Sequence, residues 1–209
     1  MSRELAFGFS SVLEARGLEG VRPSPRDEGG SEGSERRIAG GVGAKKVDVT
    51  WATEESGLLL AFSIKTINFR DRRSGHFQKN LTNRRGDMLF EAVTLHRRFP
   101  YAVLGGFFMF DAAAETDGTD RRRSTFLNAH DRFRIFTGRV DPAGRDEQFE
   151  GLYIGLVGAD PDGSSVRFFE AGKPDQEIQL SQAVNHLVSM VADRNPDFYQ
   201  FGEGRLEKI

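Results

Sequence analysis

Lys45-Lys-Val-Asp48-Val-Thr-Trp51-Ala-Thr53 is followed, across the turn Glu54-Glu-Ser-Gly57, by Leu58-Leu-Leu-Ala-Phe-Ser63-Ile-Lys65-Thr66. The first run alternates, with Val47, Val49 and Trp51 against Asp48 and Thr50, and this predicts a strand over 46–53. The second is apolar on both faces from Leu58 to Lys65, as expected of a central strand covered on both sides. Each strand carries one ionisable residue near an end, Asp48 and Lys65, and such residues are costly in an apolar setting unless they are paired or used. A structural ion pair is one reading of them. A divalent cation at Asp48 with Lys65 beside it is the other.

Working outward, Leu5, Phe9, Val12 and Leu13 recur at helical spacing and Gly17 supplies a stop, so the first seventeen residues read as a helix. Residues 22–43 are rich in Gly, Ser, Pro and charge and read as a flexible loop. After Lys65 a polar, basic loop is expected over 68–83, long enough to suggest a function. A helix follows over 84–98 on Met88, Leu89, Val93 and Leu95, then an apolar strand over 101–110. The first half therefore reads helix, strand, strand, helix, strand. In the second half, 124–136 reads as a helix, 151–157 and 166–170 as strands joined at the Asp160-Pro-Asp-Gly163 turn, and 180–194 as an amphipathic helix. No recognisable chemistry is legible there.

The bulk composition sets limits. Two hundred and nine residues, 38% hydrophobic with 18 Phe, suit a single domain over 1–209 with a substantial core. With no cysteine, disulfides, thiol catalysis and cysteine zinc sites are excluded, and a reducing cytoplasm is the expected home. No signal pattern and no apolar run of the ~20 residues that span a bilayer is present. The net charge of -2 is unevenly spread. Arginines and lysines cluster at 70–73, 79–85, 97–98 and 121–123, while acids gather at 27–35 and 141–150. Each basic run also makes sense as a solvated surface. The loop holding Gln78, Lys79, Asn80, Asn83, Arg84 and Arg85 combines phosphate-clamping cations with side chains that pair with base edges, and its place directly after the Lys65 strand favours DNA contact. His76 and His96 have no ligand spacing and receive no catalytic role.

An Asp on one strand, a lysine two residues after a small polar residue on the next, and the surrounding element order resemble the PD-(D/E)XK nuclease superfamily, typified by type II restriction endonucleases. The resemblance covers roughly residues 1–111. It implies an α/β fold with a restriction-endonuclease-like core, a mixed central sheet flanked by helices, with 112–209 supplying dimer or recognition elements. Ser63 stands where the family usually carries an acid. A subset of the family shares this Ser-x-Lys element and recruits a Glu from the following helix. Glu91 is the candidate for that migrated ligand, with Asp87 one helical turn earlier as the alternative and Glu14 matching an auxiliary acid on the first helix. The resemblance thus implies catalytic Asp48, Ser63, Lys65 and Glu91, with Mg2+ (or Mn2+ in its place) at Asp48 and Glu91.

Phosphodiester hydrolysis at neutral pH needs an activated water and a counter to the charge that develops on phosphorus, which explains why carboxylates and a lysine would be wanted together. The expected function is a Mg2+-dependent endonuclease of double-stranded DNA serving restriction or another defence role, a homodimer if its site is symmetric. A cognate methyltransferase or a defence-system partner would fit such a role. A DNA-binding or scaffold subunit with a degenerate nuclease core and an RNA-directed or partner-dependent toxin nuclease are the alternatives.

Overall fold

The computed structural model describes residues 2–24, 37–40, 43–67, 70–71, 75–78, 81–160 and 163–209. The apolar run Leu58 to Ile64 is buried throughout and forms most of strand β4 (Gly57–Ile67). Strand β3 (Val49–Thr53) pairs antiparallel with it, Val49 opposite Phe62 and Trp51 opposite Leu60. The tight turn between them ends on Gly57 at φ 70°, a backbone conformation that favours glycine. Strands β1 (Arg37–Gly40) and β2 (Gly43–Lys46) form a separate antiparallel hairpin just upstream.

Beyond β4 the chain crosses over through helix α2 (Leu81–His96) to strand β5 (Val103–Asp111), which lies parallel to β4 with Ser63 beside Gly106 and Lys65 beside Phe108. Strand β6 (Gly151–Asp160) is parallel to β5, β7 (Gly163–Glu170) returns antiparallel, and the two-residue β8 (Glu177–Ile178) closes that side. The order β3-β4-β5-β6-β7-β8 makes one mixed six-stranded sheet, so the second half of the chain builds half of the same sheet.

Helices cover both faces. Helix α1 (Ser2–Glu14) and helix α4 (Leu180–Arg194) bring Phe9, Leu13, Leu187 and Val188 against Leu60, Phe62, Ile64 and Phe107. On the other face α2 and helix α3 (Thr125–Phe133) bring Met88, Leu95, Phe126 and Phe133 against Ala61, Leu104, Phe108 and Phe110. Each such side chain, fully buried, contributes roughly 1.5–3 kcal/mol of transfer free energy. The terminal hairpin β9 (Tyr199–Gly202) and β10 (Arg205–Lys208) seals the first face, with Tyr199 edge-on to Trp51. The fold is α/β with a mixed central sheet flanked by helices, as expected. Among the described residues no helix is long and apolar enough to cross a membrane.

Several boundaries differ from expectation: α1 ends at Glu14 instead of 17, α3 spans Thr125–Phe133 instead of 124–136, β6 runs on to Asp160, and β7 begins at Gly163. Residues 22–43 are not one loop: Arg22 bridges Thr50 by two backbone bonds of 2.8 Å, and 37–40 is strand β1, where Ile38 is buried in the α2 core. Asp48 precedes β3 instead of lying within it, because its side chain takes an amide of β4 that a ladder carbonyl would otherwise hold. Helix α2 begins at Leu81, not Arg84, since fully buried Leu81 already anchors its first turn, and it ends at His96. The strand expected from Tyr101 begins at Val103, beyond exposed Tyr101.

Candidate active site

Period-two alternation sends Leu60, Phe62 and Ile64 of β4 to the α1 face and leaves Ser63 and Lys65 on the α2 face. The register Val49 with Phe62 puts Asp48 level with Ser63, across the strand pair. Four side chains then meet. Lys65 Nζ donates to Glu91 Oε1 at 2.9 Å and to Oε2 at 3.2 Å, and it lies 3.7 Å from Asp48 Oδ2. Ser63 Oγ donates to Glu91 Oε2 at 2.5 Å. The Ile64 amide donates to Asp48 Oδ2 at 2.7 Å, fixing that carboxylate through the backbone between Ser63 and Lys65. The side chains of Lys65, Glu91 and Asp48 are 12%, 11% and 20% exposed, so their attraction is far less screened than on an open surface.

Glu91 reaches the strand because α2 lies low over the sheet. Gly106 is the neighbour of Ser63 on β5, and a Cβ there would come within 2.9 Å of Met88 Cε and 2.4 Å of Leu152 Cδ1. Met88 occupies that space one turn before Glu91, and the close approach delivers the carboxylate to Ser63 and Lys65.

The competing acids are elsewhere. Asp87 is exposed and pairs with Arg84 at 3.7 Å. Glu14 lies on α1, which covers the opposite face, and its carboxylate accepts the Val21 amide at 3.2 Å. Of the residues expected to touch DNA, Lys79 and Asn80 lie outside the described residues. Asn83, Arg84 and Arg85 belong to the start of α2 and not to a loop, with Asn83 and Arg84 exposed. Gln78 is half-buried, and its backbone amide donates to His76 Nδ1 at 3.2 Å.

No protein-family model, curated protein or solved structure matches this chain. The functional reading therefore rests on geometry. Asp48 and Glu91 offer hard carboxylate oxygens gathered around one cationic group, and among the described residues no third His, Cys, Asp or Glu joins them. That donor set suits Mg2+, which keeps several waters and is commonly held by one or two carboxylates together with substrate phosphate.

Two charged clusters escaped the sequence reading. Glu150 at the head of β6 accepts from Leu104 N (2.7 Å), Arg139 Nη1 (2.8 Å) and His96 Nε2 (3.3 Å), with Arg194 Nη1 at 2.8 Å. The Arg139, Glu150 and His96 side chains are all fully buried. Burial alone would push the Glu150 carboxyl up, but the His96 ring, the Arg194 guanidinium and the Leu104 amide outweigh it and hold it below the usual range. This network ties α2, α4 and the 139–150 segment together at the end of the sheet opposite Lys65. In the sequence Glu150 is hidden among the acids gathered at 141–150, and nothing local sets it apart. Asp117, also buried, accepts from the Phe77 amide (3.1 Å), the Thr125 amide (2.6 Å) and Thr125 Oγ1 (2.5 Å), joining the segment after β4 to the start of α3.

Proposed function

We propose that this chain is a Mg2+-dependent endonuclease that hydrolyses phosphodiester bonds of double-stranded DNA. The observation that carries this reading is the contact of one strand lysine with two carboxylates from separate elements, Asp48 and Glu91, with Ser63 orienting Glu91. A structural ion pair needs one acid. Two acids on one buried cation, one of them held by a backbone amide, make a preorganised site for positive charge.

In this reading Asp48 and Glu91 hold the metal ion, which when bound supplies Lewis-acid stabilisation and an acidified water. Lys65, placed beside both carboxylates, would orient the attacking water or offset charge on the phosphoryl oxygens. The Ser63 hydroxyl fixes the Glu91 rotamer, and the Ile64 amide fixes Asp48.

The test is incubation with plasmid and with RNA, in Mg2+ and in EDTA, beside Lys65→Ala, Glu91→Gln and Asp87→Asn. We expect Mg2+-dependent DNA fragments that are lost in Lys65→Ala and Glu91→Gln and kept in Asp87→Asn. Cleavage that survives Lys65→Ala would overturn the site, cleavage of RNA alone would overturn the substrate, and duplex binding without any cleavage would leave a binding protein with a degenerate core.

A further inference from the structure

We propose that Arg70 clamps a DNA phosphate within about five nucleotide steps of the scissile one, an inference that rests on the nuclease reading above. Arg98 lies over the Phe99 ring and Arg132 reaches Thr82, whereas other surface arginines are spent on carboxylates: Arg84 on Asp87, Arg97 on Asp146, Arg123 on Asp131, Arg145 on Glu147 and Arg167 on Glu115. Arg70 is not. It is exposed, and its guanidinium lies over the ring of Phe77, 5.5 Å from the centroid, with no carboxylate partner among the described residues. Its charge is therefore held in place by an aromatic face and remains available to an anion.

The ring is anchored in the core. Phe77 is 1% exposed in the α2-side core, and its amide is held by the buried Asp117 carboxylate. The segment closes on itself through Asp71 N to His76 O at 3.0 Å and Gly75 N to Asp71 O at 2.8 Å. A guanidinium fixed in this way loses little side-chain freedom on meeting a phosphate.

Position gives the ligand. Arg70 follows the carboxyl end of β4 by three positions and Lys65 by five. Fully extended, that chain spans no more than about 17 Å. At an axial rise of about 3.4 Å per nucleotide, the reach covers a phosphate within about five steps of the one at Lys65. A planar guanidinium matches the paired oxygens of a phosphodiester better than an ammonium does.

The test is binding of a 30-base-pair duplex in EDTA, followed by fluorescence anisotropy across a salt series, for the wild type, Arg70→Gln and Arg97→Gln. Arg70→Gln should weaken binding and lower the slope of log affinity against log salt by about 0.9, the value of one lost phosphate contact. Arg97→Gln, an exposed change at the far end of α2, should leave the slope unchanged. An unaltered slope in Arg70→Gln while the wild type binds and cuts would overturn the clamp and spare the nuclease. Equal losses in both variants would reduce the effect to net charge and also overturn it. A wild type that neither binds nor cuts the duplex would remove the nuclease reading and the clamp together.

Discussion

Lys65→Met removes the cation on which Asp48 and Glu91 converge and keeps most of its volume, so it tests whether the cluster is a charge-balanced cation site without requiring any catalysis. Breaking a fully buried ion pair so as to leave an unpaired charge costs about 3–5 kcal/mol. Here the three side chains retain 11–20% exposure, which lowers the expected loss to roughly 2–3 kcal/mol. For a chain of this length 1 kcal/mol moves Tm by about 2–4 °C, so Lys65→Met should melt roughly 5–10 °C below the wild type in EDTA. A ligand at a hundredfold excess over its Kd adds about 2.7 kcal/mol. Mg2+ should therefore restore most of the loss in the variant. It should raise the wild type less, because there it must first displace the lysine ammonium. The assay is a pair of thermal melts by circular dichroism, with EDTA and with Mg2+. A variant that melts within about 2 °C of the wild type and gains no more from Mg2+ would refute the reasoning.

Two further predictions concern stability and pH. His130 is buried, accepts the Gly172 amide on Nδ1 at 3.1 Å, and is lowered to about 4, chiefly by desolvation. Its folded value lies below the unfolded 6.5, so the unfolded chain takes up the proton first and stability falls as pH drops from about 6.5 towards 4. The full loss is roughly 3 kcal/mol, and His130→Asn, which keeps an acceptor near Gly172, should flatten that part of a Tm-against-pH curve. Glu150→Gln should cost about 3–5 kcal/mol and lower Tm by about 6–20 °C, because Arg139 and Arg194 then share no carboxylate. Since Glu150 is held below its ordinary value, its contribution is present above the unfolded carboxylate range and is lost in acid. The acid limb of wild-type stability should thus persist below the His130 range and vanish in Glu150→Gln.

Much of the architecture was legible because it depends on local pattern. The helix over 180–194 falls where periodicity puts it, and Asp160 pairs with Gly163 where the turn chemistry joins the two strands. The buried strand of β4 was readable from its unbroken apolar run, since only a strand covered on both faces tolerates it. The hairpin β1–β2 was hidden by its glycine-rich, charged composition, although Ile38 of β1 packs near α2.

By itself the sequence determined that Asp48 and Lys65 sit at the ends of paired strands, because alternation and turn signals operate over a few residues. It also offered Glu91 as the second acid, with Asp87 one helical turn earlier and Glu14 on the first helix as alternatives. Tertiary structure alone decided which of them meets Lys65: Glu14 lies on α1 over the opposite face, and Asp87 and Glu91, one turn apart on the same helix, differ only in how α2 docks. Met88 settling beside Gly106 fixes that docking and turns Glu91 onto Ser63 and Lys65 while Asp87 stays in solvent with Arg84. The assembly of His96, Arg139, Glu150 and Arg194, drawn from positions up to 98 residues apart, was likewise beyond any local signal, because burial of charge becomes affordable only when the fold supplies every partner at once.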